Sequence, residues 1–219
     1  VPSIFDSVKC QARLTDTVIV SYSGGKDSAV VLDLCHRYFK VVHCFFMYQV
    51  QGLSFQEAIL KWAENRYGLE IYRLPHWELS HFYRSGSFCK PDAGVRKVSI
   101  SDVYAHVRQV FGAHWIAAGE RVKDSVVRGA MIKKSGSIDH QRGRFYPVAY
   151  WDKAQVLKYI EVQKIKVSPE ANVLGHSFRS LAPEDMAALK RHYPVDFSKV
   201  ATAFPLIGAS AAKAELYGN

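Results

Sequence analysis

Residues 21–32 read SYSGGKDSAVVL, a polar elbow set between two apolar runs. Gly24 and Gly25 allow a sharp turn and a close approach of backbone to a ligand. If a helix follows, its open N–H groups and the positive end of its dipole favour an anion, most simply phosphate. The hydroxyls of Ser23 and Ser28 and the ammonium of Lys26 add donors of the same kind. Asp27 is out of place against a bare phosphate but suits one that carries Mg2+. The spacing excludes two familiar loops. A Walker A loop, G-x-x-x-x-G-K-S/T, would put glycine at position 20 and a hydroxyl after the lysine; the chain has Val20 and Asp27 there. Nor does the stretch contain G-x-G-x-x-G.

A second polar cluster, GERVKDSVVRG at residues 119–129, supplies Gly119, Arg121 and Arg128. Guanidinium forks suit phosphate or sulfate oxygens. Hydrophobic period indicates the elements that must position both clusters. Strands are expected at residues 16–22, 39–48, 69–74 and 114–118, with 145–150 a short fifth strand or merely extended chain, and helices at 28–38, 55–67, 99–111, 124–134 and 152–165. Residues 75–97 read as a long polar loop, and SGSIDHQRGR at 135–144 as a flexible basic one. Lys133, Lys134, Arg142 and Arg144 flank or occupy that loop, as a solvated face or a phosphate-contacting edge. This alternation predicts an α/β fold: a doubly wound, mostly parallel five-stranded sheet with helices on both faces and a helical C-terminal tail. Residues 1–170 would form the nucleotide-binding domain and 171–219 a helical extension packed on it. Both polar clusters fall after strands, where open α/β sheets bind ligands.

The whole chain sets bounds on this reading. A hydrophobic share of 48% and a charged share of 22% are ordinary for a protein with a packed core. A formal charge of +9 favours an anionic partner, a nucleotide or a nucleic acid. No apolar run approaches the ~20 residues that span a bilayer, and the first residues lack the apolar core of a signal peptide, so no membrane role and a cytoplasmic location are expected. The four cysteines, Cys10, Cys35, Cys44 and Cys89, form no CxxC and read as reduced thiols. Cys35-His36 and His43-Cys44 sit on a helix face and in a core strand, a poor arrangement for zinc. Cys89, in SGSFCKPDAG, is the one cysteine in an expected active-site loop.

SGGKDS resembles the pyrophosphate-binding loop, SGGxDS, of the ATP pyrophosphatase (adenine nucleotide alpha hydrolase-like) superfamily. QGLSFQEAILKWAENRYGLEIYRLP, GERVKDSVVRG and YPVAYWDKAQVLKYI are similar to segments of its phosphoadenosine phosphosulfate (PAPS) reductase-like branch, in order and over residues 16–169. The resemblance implies that Ser21, Tyr22, Ser23, Gly24, Gly25, Lys26, Asp27 and Ser28 cradle phosphate or pyrophosphate. Gly119, Arg121 and Arg128 would face the anionic end of the nucleotide. It further implies catalytic parts for Lys26, Asp27, Arg121, Arg128 and Cys89, with Asp27 as the Mg2+ ligand. Asp124 stands where the branch commonly has glutamate, Ser125 reads as a helix cap, and Trp151 as a packing residue. Cys89 lies roughly where many members carry Arg-Trp-Cys.

The implied activity is cleavage of ATP, or of a PAPS-like adenine nucleotide, between the α- and β-phosphates to adenylate an acceptor. The acceptor would be a nucleic acid or a substrate of sulfur transfer, with a sulfur-donor protein and a second copy of the chain as further candidate partners. A sulfonucleotide reductase is the alternative; those enzymes use a cysteine in a motif like E-C-G-x-H, and no cysteine follows Trp151 here. A non-catalytic nucleotide-binding module is the other alternative, which the intact loop and paired arginines disfavour.

Overall fold

The structure, a computed structural model, describes residues 5–178, 180–209 and 211–212. Its elements run α1 (Asp6–Leu14), β1 (Thr17–Tyr22), α2 (Lys26–Tyr38), β2 (Val41–Tyr48), α3 (Ser54–Tyr67) and β3 (Ile71–Pro75). They continue as α4 (Glu78–Ser85), α5 (Ile100–Phe111), β4 (Ile116–Ala117), α6 (Val126–Ser135), β5 (Ile138–Asp139) and β6 (Arg144–Phe145). Helices α7 (Lys153–Gln163), α8 (Ala171–Leu174), α9 (Pro183–His192) and α10 (Pro194–Ala203) complete the chain. The strands form one six-stranded sheet in the order β3-β2-β1-β4-β6-β5. β1 pairs in parallel with β2 and with β4, β4 pairs in parallel with β6, and only β5–β6 is antiparallel. This is the expected mostly parallel α/β fold, with six strands in place of five.

Strand β1 is central because it is apolar on both faces: Val18, Ile19 and Val20 are completely buried. From β1 the chain winds outward through β2 and β3, then returns to β4 on the other side of β1. Winding therefore reverses between β1 and β4, and the ends of those two strands flank the crevice where such sheets take ligands.

Three expectations fail in instructive ways. The segment expected to be a loop at 75–97 contains α4, whose Leu79, Phe82 and Tyr83 recur at helical spacing beneath a polar surface. The expected flexible loop at 135–144 folds back as β5 and β6, with Ile138 opposite Phe145. The expected fifth strand at 145–150 shrinks to Arg144–Phe145, because the Trp151 and Ala149 N–H groups bond Val148 and Tyr146 in turns.

The chain divides into two compact units. The first takes the residues up to Phe46, Ile59–Arg73 and Tyr104–Val167; the second takes Met47–Ala58, Leu74–Val103 and the residues from Ser168 onward. Within the first, Asp33 on α2 is buried and gathers Arg37 Nε (2.6 Å), the Tyr159 hydroxyl of α7 (2.7 Å) and the Tyr67 hydroxyl of α3 (3.2 Å). Trp151 packs edge-on against Phe5 and Tyr159, as its apolar surroundings in the sequence suggest. Within the second, Val200 and Phe204 of α10 bury against Val50, Leu53, Phe55 and Leu79, while Tyr193 and Phe197 pack on the same cluster. Asp196 of α10 accepts from the backbone N–H and hydroxyl of Ser54, so a neighbouring helix caps α3. No helix among the described residues is long and apolar enough to cross a membrane.

Candidate functional site

The loop after β1 is shaped by three residues. Gly24 has φ +74°, a left-handed conformation that a side chain would strain. Gly25 precedes α2 in extended conformation and offers no side-chain cap, so the first-turn N–H groups of the helix stay open. Ser28, one turn into α2, reaches back: its hydroxyl donates to Gly25 O (3.0 Å), accepts from Ser23 N–H (3.1 Å) and meets Ser23 Oγ at 3.0 Å. Its side chain is thus spent on the shape of the loop, while Ser23 is exposed. Upstream, Ser21 and Tyr22 belong to β1 itself, in register with Phe45 and Phe46, and Tyr22 is buried. They fix where the loop begins.

The second cluster closes on this loop. A Cβ added at Gly119 would sit 3.0 Å from Ser28 N and 3.1 Å from the Asp27 carbonyl carbon, so only glycine lets the chain beyond β4 lie this near the start of α2. Arg121 then turns its guanidinium across: Nε is 3.0 Å from Asp27 Oδ1, and Nη2 donates to Asp124 Oδ1 at 2.9 Å. The Arg121 side chain is 8% exposed, so it is one of the few charges held almost out of water. Asp124 also accepts from the Arg121 backbone N–H (2.9 Å) and stands 3.7 Å from Arg128 Nη1. Glutamate's extra methylene is unnecessary in this tight turn. Arg128 remains half exposed on the first turn of α6, which Ser125 caps by accepting from its N–H. The final glycine of the motif has its own steric reason. A Cβ at Gly129 would meet Val122 O at 2.8 Å, so α6 packs directly on the backbone that carries Arg121.

Lys26 pairs with Asp27 Oδ2, so Lys26 and Arg121 between them face both oxygens of one carboxylate. Lys26, Asp27, Arg121, Asp124 and Arg128 form one chain of alternating charge beside an open helix start. The arrangement can receive an anion, which would compete with Asp27 for the two cations. Among the described residues no group of three or more His, Cys, Asp or Glu could hold a metal. Both oxygens of Asp27 face cations, and the residues described do not fit a preformed metal cage.

Arg144, expected in a flexible loop, is instead in β6 and largely buried. Its Nη2 donates to Glu120 Oε1 (2.6 Å), and its guanidinium lies 4.9 Å and 5.2 Å from the ring centroids of Tyr104 and Tyr146. Burial pulls the Arg144 pKa down, but Tyr104, Glu120 and Tyr146 outweigh it and leave the group above its usual value. Burial likewise pushes the Tyr104 hydroxyl up to about 12. Glu120, next to Gly119, is thereby anchored to β6. Sequence reasoning missed this cluster of four, because Tyr104, Glu120, Arg144 and Tyr146 lie on segments that become neighbours only in the fold. Lys133 and Lys134 end α6, and Arg142 pairs with Asp139 at 3.7 Å.

Cys89 belongs to the second unit, where it is buried in the apolar cluster with its thiol 3.8 Å from Phe82 O. Cys35 and Cys44 are completely buried, and burial raises both thiols well above their ordinary range; Cys10 is exposed.

Residues 17–171 match the family described as phosphoadenosine phosphosulfate reductase domain. No curated protein matches in sequence. Among solved structures, the U34-tRNA thiolase NcsA from Methanococcus maripaludis with its 4Fe-4S cluster is similar at a TM-score of 0.51 and 16% identity, over 92% of this chain and 78% of that one. The NH3-dependent NAD synthetase from Campylobacter jejuni, in complex with nitrate, aligns at a TM-score of 0.49 and 12% identity, over 98% of this chain and 91% of that one. At these identities the likeness to the thiolase is one of fold.

Proposed function

Since the chain belongs to the phosphoadenosine phosphosulfate reductase domain family, we propose that it is an adenine-nucleotide enzyme that splits ATP between the α- and β-phosphates. The single observation that carries the reading is the junction of Arg121 with Asp27 at the switch point of the sheet. It places two cations, Lys26 and Arg121, on the loop from which pyrophosphate would depart. In the proposed step an acceptor oxygen attacks the α-phosphorus, the bond from that phosphorus to the bridging oxygen breaks, and pyrophosphate leaves with the electron pair. The acceptor's proton passes to solvent.

The protein's part is position and charge. The open N–H groups at the start of α2 bind the departing phosphates, and Gly24, Gly25 and Gly119 let backbone approach them. Lys26 and Arg121 neutralise charge that grows on the leaving group, and Arg128 reaches in from α6. Mg2+ enters as part of the nucleotide substrate, and Asp27 is the carboxylate placed to meet it. The step requires no thiol, and the proposed scheme gives Cys89 no part. The adenylated acceptor would then be attacked by a sulfur or nitrogen nucleophile, releasing AMP.

The test is product identity. With ATP labelled at the α-phosphate, and Mg2+ and candidate acceptors present, labelled AMP or an AMP-acceptor adduct should appear with pyrophosphate. Labelled ADP with free phosphate would sink the reading.

A further inference from the structure

The second unit carries a groove of about 330 Å3 that the proposed step does not use. It is lined by Trp77, Ser80, His81, Arg84, Lys97 and Val98, from α4, the residue before it and the segment that returns alongside it. The groove is a built feature. The Ser80 hydroxyl accepts from Val98 N–H (3.0 Å), pinning the returning segment to the helix. Arg84 Nη1 donates to Ala93 O and Val95 O, both at 2.7 Å, which fixes the guanidinium plane.

The lining is cationic and aromatic, without a carboxylate. Among the described residues Lys97 and His81 have no ion pair or hydrogen bond, and the remaining nitrogens of Arg84 are likewise unused. Trp77, half buried, leans on His76 with ring centroids 5.7 Å apart and offers an indole with no described partner for its N–H. Glu78, the nearest acidic neighbour in sequence, is turned to His76. Lys90 and Arg96 are exposed on the same returning segment. A fixed guanidinium and an exposed ammonium beside an aromatic face match the chemistry of a nucleobase with its flanking phosphate.

We propose that this groove binds a nucleotide unit of a single-stranded nucleic acid, the base stacking on Trp77 and the phosphate held by Arg84 and Lys97. Stacking on an indole requires an unpaired base, which favours a single strand over a duplex. The bound strand would be the acceptor of the adenylation described above; only that last identification rests on the proposed function, and the binding itself does not.

The test is a fluorescence-anisotropy titration of labelled single-stranded oligonucleotides without ATP, on the full chain and on Trp77→Ala, Lys97→Gln, Lys158→Gln and Asp27→Ala. Trp77→Ala and Lys97→Gln should each weaken binding about tenfold. Lys97→Gln should also lower the slope of log affinity against log salt by about 0.7, the signature of one lost phosphate contact. Lys158→Gln, an equal loss of charge on exposed α7, and Asp27→Ala should leave affinity unchanged. Unfolding midpoints within a few degrees of the parent's establish that the variants fold. Trp77→Phe, which keeps an aromatic face, should retain most of the binding. Equal affinity across all variants would overturn the proposal. So would a duplex binding as tightly as the single strand, or a mononucleotide competing as well, mole for mole, as the oligonucleotide. Groove variants that bind like the parent overturn the groove alone, and parental pyrophosphate release in Asp27→Ala overturns the loop alone.

Discussion

The Nε atom of Arg121 lies 3.0 Å from Oδ1 of Asp27, joining the chain beyond β4 to the first turn of α2. Each partner is also held by a second group, Asp27 by Lys26 and Arg121 by Asp124. A planar fork serves both carboxylates at once, which a lysine ammonium cannot do in the same geometry. Arg121→Lys is therefore expected to lower the rate of pyrophosphate release about a hundredfold, with little change in the unfolding midpoint. Steady-state assays beside thermal melts check it; a variant within a few-fold of the parent would remove Arg121 from the catalytic set.

Gly129 sits inside α6, where alanine ordinarily stabilises a helix by about 1 kcal/mol. Here the added Cβ would meet Val122 O at 2.8 Å, and that atom is backbone. Overpacking of this kind costs about 1–3 kcal/mol, so steric conflict wins and Gly129→Ala should destabilise the protein. Urea unfolding gives the sign directly.

Asp33 is buried with Arg37, Tyr67 and Tyr159 around its carboxylate. Asp33→Ala takes the partner from two tyrosine hydroxyls, while half-exposed Arg37 keeps water and Gln163, and it should cost about 3–5 kcal/mol from the two lost bonds to a charged group. Tyr159→Phe removes one bond to the carboxylate and should cost about 1.5–3 kcal/mol. Denaturant titration of the two variants should preserve that order.

His43 stacks on Phe111 with centroids 4.6 Å apart, and burial lowers its pKa below the ordinary 6.5. His76 in the second unit is lowered by burial too, against the opposing charge of Glu78. A histidine with a depressed folded pKa binds fewer protons folded than unfolded, so stability falls as pH drops below 6.5. The carboxylates that the fold depresses, such as Glu64, lose their contribution only at lower pH, below the ordinary 4.5. His43→Phe should therefore shrink the drop in melting temperature between about pH 7.5 and pH 5.5. A drop equal to the parent's would mean that His43 carries none of it.

Much of this was legible in the residues. The β-rich runs and glycine pairs placed β1, α2 and the loop between them, because local period and turn chemistry act within a few residues. Arg121 stood out in its motif, but neither its pairing with Asp124 nor its contact with Asp27 was read there; the contact depends on Gly119 allowing two backbone segments to meet. Arg144 looked like a loop cation because the β5–β6 hairpin has only two paired residues per strand, too few for a period to show. The helix α4 was masked by polar residues between its apolar positions, and the groove beside it exists only once Ser80 ties Val98 to that helix.

On the proposed reading, the loop of residues 23–28 with Arg121 is a pyrophosphate site serving adenylation. Exchange of labelled pyrophosphate into ATP, with single-stranded nucleic acid as acceptor, decides that claim. The parent chain should incorporate label into ATP, and Asp27→Ala, still folded, should not. Incorporation at the parental rate in Asp27→Ala, or exchange of labelled phosphate rather than pyrophosphate, would contradict the claim.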